Sequence, residues 1–156
     1  MLKPEALTIL IDTREQKPAV LKLSNDGREL SSRRCSLYSG DYSVKGLERQ
    51  VAIERKSLPD LMGCIGRDRD RFERELVRLR GIPTRAIVVE AEWQDIEEGN
   101  YRSKVDPNAA IGSLMGWIAS GVPVVMAGNA ERAGVFIARM LYITARRRYN
   151  ELKGLV

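Results

Sequence analysis

The sequence predicts an α/β fold in which a mixed central sheet is flanked by helices. Short apolar runs rich in β-branched residues occupy the early part of the chain, and strand and helix patterns alternate after residue 50. A Lys45-Gly46 turn joins two of the early strands as a hairpin, whereas strands separated by helices are expected to pair in parallel. The 156 residues, of which 44% are apolar and 30% charged, suffice for one domain with a substantial core. We therefore expect a single domain over residues 1–156.

The first half of the chain supplies three strands and a helical segment. An apolar run ends at Asp12, a second strand is closed by Gly40-Asp41, and a third strand follows the Lys45-Gly46 turn. Ser57 is a good N-cap and Pro59 suits a first helical turn, so a helix begins there and bends near Gly63 and Gly66. The helix continues to residue 80 with its buried face at Phe72, Leu76 and Leu79.

The second half alternates strand and helix. It predicts a helix starting at Asp106-Pro107, with Ile111, Leu114, Met115 and Ile118 on its buried face, and a last helix from Asn129 to about Glu151. The stretch from residue 92 to residue 104 is polar and is predicted to be irregular, with Trp93 and Tyr101 either stacking on bases or anchoring the loop. In all, the predicted strands lie at residues 8–11, 35–38, 50–56, 85–90 and 123–127.

Composition excludes several classes of site. The chain has no histidine, which excludes a Ser-His-Asp triad, a histidine general base and any histidine-ligated zinc or iron. Cys35 and Cys64 are too few for a structural zinc site and are expected to be reduced thiols. We expect an intracellular protein, since no apolar run is long enough for a membrane span and no signal peptide is evident. Any metal would be bound by carboxylates and carbonyls, which suit Mg²⁺ or Mn²⁺.

The predicted strand from Gln50 to Lys56 begins apolar and ends charged. Because side chains alternate along a strand, Glu54 and Lys56 share one face and lie roughly 6.6 Å apart, while Arg55 points to the other face. A carboxylate and an ammonium placed in this way can hold a divalent cation and orient a nucleophile. Asp41, at the turn after an earlier strand, can add a second carboxylate.

These residues form a recognisable set of motifs. The segment Gly40–Tyr42 followed by Glu54–Lys56 and Asp60 resembles the signature of the XPF family of structure-specific DNA endonucleases. Asp12–Glu15, after an apolar strand, resembles a further element of that signature. Arg71–Glu75 resembles the family's arginine-containing helix, although Glu75 stands where glutamine is expected. The motifs occur in the family's order and cover most of residues 8 to 80.

The resemblance implies a restriction-endonuclease-like core and a metal-dependent DNA endonuclease acting on branched or otherwise structured DNA. Asp41 and Glu54 would ligate Mg²⁺ or Mn²⁺, with Asp12 as a third ligand directly or through water; a turn-forming Asp12 is the alternative. Lys56 would position or deprotonate the attacking water, or stabilise the transition state. Asp60 would either favour the helix dipole or orient Lys56 or Arg55, and Arg55 would either hold a carboxylate or reach DNA.

The charge of the chain and the resemblance both point to DNA as the binding partner. The net charge of +5 alone favours a polyanionic partner only weakly. Six arginines lie among the fourteen residues from 67 to 80. They form either a solvated, ion-paired helix face or a set of phosphate contacts, which would come from Arg67, Arg69, Arg71 and Arg74. Members of the family usually carry a helix-hairpin-helix domain, and the residues after Arg146 are too few to build one. The alternative to an enzyme is a catalytically silent DNA-binding or scaffolding module.

The last predicted helix is apolar on more than one side, which predicts a homodimer through this helix. Its narrow polar stripe consists of Arg132, Arg139 and Arg146. The sheet is expected to cover one apolar ridge, which consists of Ala133, Phe136, Ile137, Met140, Leu141 and Ile143. A second ridge is expected to face a symmetric partner, in line with the resemblance, and consists of Val135, Ala138, Tyr142, Ala145 and Tyr149. The alternative is that the preceding helix, with Gly112 and Gly116, covers the second ridge.

Overall fold

The computed structural model describes all residues from 1 to 156 and contains a six-stranded mixed sheet with helices on both faces. The strands are β1 (Ile9–Asp12), β2 (Ser32–Cys35), β3 (Tyr42–Val44), β4 (Val51–Lys56), β5 (Thr84–Val89) and β6 (Val124–Met126). The helices are α1 (Leu58–Ile65), α2 (Arg69–Arg80), α3 (Trp93–Glu97), α4 (Pro107–Ala119) and α5 (Ala130–Lys153), preceded by a 3₁₀ turn at Pro4–Ala6. The predicted fold class is confirmed.

The strand order is β2-β1-β3-β4-β5-β6. β3 pairs antiparallel with both β1 and β4, which gives the predicted hairpin, while β4, β5 and β6 pair in parallel. β1 and β2 are also parallel. β1 and β4 therefore run in the same direction, and their carboxyl ends lie at the same edge of the sheet on either side of β3. The short loop leading into β3 lies between these two ends and contacts both of them.

Two strand predictions were wrong. The second strand lies at Ser32–Cys35 rather than at residues 35–38, and a separate strand, Tyr42–Val44, was not predicted. β2 is an edge strand whose first three residues are all exposed, so it has no apolar pattern to detect. β3 has only three residues and follows a tight turn, which makes its pattern too short to recognise.

The sheet separates two hydrophobic clusters. Ala52, Ile87 and Val89 lie in the cluster covered by α1, α2 and α4, whereas Val51 and Ile53 lie in the cluster covered by α5. The predicted alternation along β4 is therefore confirmed. The predicted buried face of α2, Phe72, Leu76 and Leu79, is confirmed as well. Ser57 caps α1 by accepting a hydrogen bond from the Asp60 amide.

The segment after β5 differs from the prediction in two respects. Residues predicted to be irregular include the short helix α3. α4 starts at the predicted cap Asp106, but it buries Ala110, Leu114 and Trp117, while Met115 is 47% exposed and Ile118 37% exposed. The buried residues recur at three- and four-residue spacing, which defines a face rotated away from the one predicted.

The helix α5 begins at the predicted cap Asn129 and packs across the sheet. Ala138 and Ala145 of the second predicted ridge are buried within the chain, and the Tyr142 hydroxyl donates a hydrogen bond to the Leu2 carbonyl. That ridge is thus covered largely by the N-terminal part of the same chain. The alternative, in which α4 covers this ridge, was wrong, because α4 lies on the opposite face of the sheet. Homodimerisation itself remains a prediction.

A close approach fixes α5 against the loop that follows β1. A Cβ atom added to Gly134 would lie 2.2 Å from the carbonyl oxygen of Val20, so only glycine allows the helix to pack at this distance. None of the helices combines the length with the apolar character that a membrane-spanning segment requires.

Candidate active site

A small polar cavity of about 120 Å³ lies at the carboxyl end of β4. The loop before β3, the end of β4 and one face of α2 form its walls. It is lined by Arg14, Tyr38, Ser39, Gly40, Asp41, Glu54, Lys56, Glu75 and Arg78. Three of these residues, Asp41, Glu54 and Lys56, were predicted to form the site, and the structure brings them together.

Gly40 explains how the loop reaches the strand. Its φ is +79°, and an added Cβ would lie 3.0 Å from the Ala52 Cβ and 3.1 Å from the Ile53 nitrogen. Glycine alone adopts this conformation so close to another backbone. The Asp41 amide then donates to the Ile53 carbonyl, and Asp41 Oδ2 accepts a hydrogen bond of 2.8 Å from the Arg55 amide. The Asp41 carboxylate is therefore fixed beside Glu54.

Burial raises the pKa of both carboxyl groups, and the charge of Asp41 further disfavours the charge of Glu54. Burial raises the pKa of Asp41 to about 6. Burial, followed by the neighbouring charge of Asp41, raises the pKa of Glu54 well above its usual value. Glu54 is only 7% exposed. A divalent cation would remove both penalties, so the pair fits Mg²⁺ or Mn²⁺, whose preferred ligands are carboxylate oxygens.

Lys56 lies on the same face as Glu54. Its Nζ is 3.6 Å from Glu54 Oε2 and 5.1 Å from the centre of the Phe72 ring. Burial alone would lower the pKa of Lys56, but the neighbouring negative charges, chiefly that of Glu54, together outweigh burial and raise that pKa. The ion pair and the cation–π contact both favour the ammonium form.

Asp12 is placed next to the cavity but not in its lining. Its Oδ1 accepts from the Leu37 amide at 2.9 Å, and its Oδ2 accepts from Arg14 Nε at 2.7 Å and from the Arg14 amide. Burial alone would raise the pKa of Asp12, but these hydrogen bonds hold it below its usual value. No group of three or more acidic or thiol side chains is placed to hold a metal. Asp12 instead holds Arg14, whose guanidinium lines the cavity.

Arg55 points away from the cavity, as predicted, and binds two carboxylates. Its Nε donates to Glu90 at 2.5 Å, and its Nη1 donates to Glu15 at 2.9 Å and to the Lys17 carbonyl at 2.6 Å. Glu15 also accepts a 2.6 Å hydrogen bond from the Tyr42 hydroxyl. Of the two open possibilities for Arg55, the structure therefore favours the one in which it holds carboxylates.

Known proteins are similar to this chain along most of its length. A family model of the ERCC4 domain matches residues 11–140. The chain belongs to the ERCC4 domain family. A search of curated protein sequences returned no match.

Solved structures resemble the ERCC4 domain along most of its length. XPF from Aeropyrum pernix superposes with a TM-score of 0.67 at 18% sequence identity, covering 94% of this chain and 69% of that one. A second structure, XPF from Aeropyrum pernix in complex with DNA, gives a TM-score of 0.67 at 17% identity and covers 90% of this chain and 66% of that one. The fold is thus the restriction-endonuclease-like fold of the XPF nuclease.

The remaining predicted residues of the ERCC4 domain lie outside the cavity. Asp60 is exposed in the first turn of α1, and its carboxylate bonds neither Lys56 nor Arg55. Arg67 and Arg71 approach Asp68 at 3.8 and 3.5 Å, so both belong to an exposed ion-pair cluster. Arg69 donates to the Ile65 carbonyl and to Ser113, and Arg74 is exposed.

Six cavity residues were not predicted as site residues, and they include Arg14 after β1 and Gly40 in the loop before β3. Glu75 and Arg78 lie one turn apart on α2 and face the acidic pair, while Tyr38 and Ser39 come from the loop before β3. The signal for Glu75 was its place in the motif of the arginine-containing helix. Arg78 carried no signal, because alternating charges along α2 conceal which members point inward.

Proposed function

We propose that this ERCC4 domain is a metal-dependent endodeoxyribonuclease that hydrolyses phosphodiester bonds of branched or otherwise structured DNA. The observation that supports this proposal most strongly is the meeting of Asp41, Glu54 and Lys56 in one polar cavity. Two carboxylates and one ammonium are the groups that this reaction requires, since one set binds a cation and the other neutralises phosphate charge.

Asp41 and Glu54 would hold Mg²⁺ or Mn²⁺. The bound ion would lower the pKa of an attacking water and offset charge on the scissile phosphate. The cavity leaves the remaining coordination positions to water and phosphate oxygens, which Mg²⁺ commonly retains. Asp12 would act from outside this ligand set, by orienting Arg14.

The cationic side chains around the pair would bind the phosphate. Lys56 is kept charged by Glu54 and Phe72, so we assign it to charge stabilisation rather than to proton abstraction. Arg14 and Arg78 line the same cavity and can donate to phosphate oxygens. Arg55 would keep the end of β4 in place through Glu15 and Glu90, which makes it a positioning residue.

Contacts farther along the DNA would be made by exposed arginines of α2 and of the turn before it, namely Arg67, Arg71 and Arg74, with Arg69 beside Ser113. One of the similar XPF structures is a complex with DNA, which supports this part of the proposal. Homodimerisation through α5 belongs to the same proposal, with the contact surface revised in the Discussion.

A cleavage assay tests the proposal. Labelled flap, fork and plain duplex oligonucleotides would be incubated with Mg²⁺, with Mn²⁺ and with chelator, and we expect cleavage only with metal. Asp41→Asn and Glu54→Gln should each lower the rate by at least about 100-fold. DNA binding without metal should survive or tighten. Glu97→Gln makes the same chemical change at an exposed position of α3 and should retain full activity.

Two results would count against the proposal. Metal-independent cleavage, or wild-type rates in both acidic variants, would remove the carboxylate pair from the chemistry. DNA binding without cleavage on any of the substrates would favour the alternative of a catalytically silent DNA-binding or scaffolding module.

A further inference from the structure

A groove of about 690 Å³ lies beside α1, outside the catalytic cavity. One wall is the exposed side of α1, where Leu58 and Pro59 present apolar surface beside the buried Met62. The other wall is the segment Asn100–Val105. α1 begins at Leu58, two residues after Lys56 at the end of β4, so the groove starts close to the end of the strand that carries Glu54 and Lys56. We call this feature the α1 groove.

The charges that line the α1 groove are all positive. Arg67, Arg102 and Lys104 lie at its edge, and no acidic side chain lines it. Arg102 and Lys104 are exposed and form no ion pair, and Arg67, whose side chain is 87% exposed, pairs only with Asp68, at 3.8 Å. The groove is therefore complementary to a polyanion.

Its inner surface is apolar and includes an aromatic ring. Tyr101 packs against the hydrophobic cluster under α1, and its hydroxyl donates a 2.8 Å hydrogen bond to the Val105 carbonyl. These two contacts hold the ring in place in the wall of the groove. Binding of a ligand would therefore cost little additional side-chain entropy. An apolar and aromatic surface edged by cations matches nucleotides, whose bases stack on rings while their phosphates pair with cations.

The apolar surface distinguishes an unpaired strand from a duplex. A duplex hides the faces of its bases, so it would contact the three cations but leave Tyr101, Leu58 and Pro59 unused. An unpaired strand exposes both bases and phosphates and can use the whole groove. We propose that the α1 groove binds an unpaired DNA strand that continues from the phosphate held in the catalytic cavity. The proposal rests on the proposed function for the identity of the nucleic acid.

Binding of a fluorescently labelled oligothymidylate, measured by fluorescence anisotropy in chelator and at low ionic strength, tests this proposal. The double variant Arg102→Glu/Lys104→Glu should weaken binding at least about tenfold, and the slope of log affinity against log salt should fall by about 1.4, or about 0.7 for each lost phosphate contact. Lys45→Glu/Arg49→Glu makes the same charge change at exposed positions at the other end of β4 and should have a much smaller effect.

A second pair of variants tests the stacking surface without changing charge. Tyr101→Leu removes the ring, and we expect it to weaken oligothymidylate binding about tenfold. Tyr101→Phe removes only the hydroxyl and its hydrogen bond to Val105, so it should bind nearly as well as the unaltered protein. Binding of a blunt duplex should respond to the charge reversal but not to Tyr101→Leu.

Three outcomes would overturn the proposal: no oligothymidylate binding by the unaltered protein, equal losses for the two charge-reversed pairs, or equal binding by Tyr101→Leu and Tyr101→Phe. The assay contains no metal and requires no cleavage, so it separates the two proposals. Loss of binding in the groove variants of a protein that does not cut DNA would support the groove and refute the nuclease. Normal binding by the groove variants of an active nuclease would refute the groove alone.

Discussion

At the scale of single residues, Asp41 and Glu54 destabilise the domain while the site holds no cation. Glu54 is almost fully buried, and the neighbouring carboxylate disfavours its charge further. The Arg55 amide and Lys56 offset only part of this cost, since the pKa of each carboxyl remains raised. Ionisation of the pair therefore opposes folding at neutral pH.

This leads to a prediction for Asp41→Asn without metal. The pKa of Asp41 in the folded protein is about 6, above its ordinary value of 3.8. The folded state therefore holds this proton more tightly than the unfolded state does, and the resulting stabilisation is complete at low pH and is lost as pH rises through about 6. Asparagine stays neutral and can still accept the Arg55 amide hydrogen bond. We expect its melting temperature in chelator at pH 8 to exceed that of the unaltered protein by on the order of 5 °C.

Calorimetry across pH checks this prediction. The advantage of Asp41→Asn should shrink as pH falls below about 6 and should vanish near pH 4. Saturating Mn²⁺ at pH 8 should reverse the order, because only the unaltered protein gains stability from the ion. An advantage that stays constant from pH 4 to pH 8 would contradict the assigned cause.

Glu75 gives a second prediction at this scale. It lines the cavity and forms no ion pair within the chain, so its carboxylate adds negative charge near Asp41 and Glu54. Glu75→Gln should weaken Mn²⁺ binding several-fold, as followed by titration calorimetry, and should tighten metal-free DNA binding. Glu73→Gln changes the same helix at a position outside this cavity and should alter neither. Unchanged Mn²⁺ affinity in Glu75→Gln would show that the charge of Glu75 does not contribute to metal binding.

At the scale of elements, the predictable part of the site was the part encoded by local pattern. Alternation along β4 correctly separated Glu54 and Lys56 from Arg55, because both faces of that strand are well defined by apolar neighbours. The inward placement of Glu75 and Arg78 depends on how α2 is rotated against β4. That rotation is set by packing of Phe72 and Leu76, and no local pattern of charges reports it.

Asp12 shows the same limit. Its position at the end of β1 was predicted. Its hydrogen bond from the Leu37 amide was not, because Leu37 lies in the loop after β2 and had been predicted to be part of a strand at residues 35–38. The hydrogen bonds from Arg14 were not predicted either. A correct element boundary thus gave the residue's location without its role.

The glycines inside α5 and α4 lead to a prediction about how each helix packs. Alanine normally stabilises a helix interior by about 1 kcal/mol relative to glycine. Gly134→Ala should nevertheless lower the free energy of unfolding by on the order of 1–3 kcal/mol, because the new methyl group would overlap the Val20 carbonyl. Gly116→Ala in α4 meets no atom within 4 Å and should stabilise by about 0.5–1 kcal/mol. Urea denaturation measures both, and a stabilising Gly134→Ala would contradict the packing of α5.

At the scale of the whole molecule, the surface available for a partner differs from the one that the sequence predicted. A groove of about 800 Å³ runs between α5 and the ends of β5 and β6, and Phe136, Met140 and Ile143 contribute its apolar part. These residues were expected to be covered by the sheet. The adjacent β6 is an edge strand, so its backbone is also free to pair.

We expect a homodimer that uses this groove rather than Tyr142. Ile143 is 40% exposed, and Ile143→Glu should weaken dimerisation at least about tenfold, because a charge would be buried at the interface. Val77→Glu introduces the same charge at a 62% exposed apolar residue of α2 and should leave the dimer intact. Light scattering over a micromolar concentration series distinguishes these results. A monomer at every concentration, or an unaffected Ile143→Glu dimer, would refute this interface.

Every residue that lines the cavity with Asp41 and Glu54 lies between Arg14 and Arg78, whereas the groove beside α5 is built mainly from residues after position 83. Selection can therefore act on the two surfaces separately. A duplicated copy of this domain that loses Asp41 would become more stable without metal and would keep its α5 surface unchanged. Loss of the proposed chemistry with retention of the α5 surface is thus an evolutionary path that this architecture favours energetically.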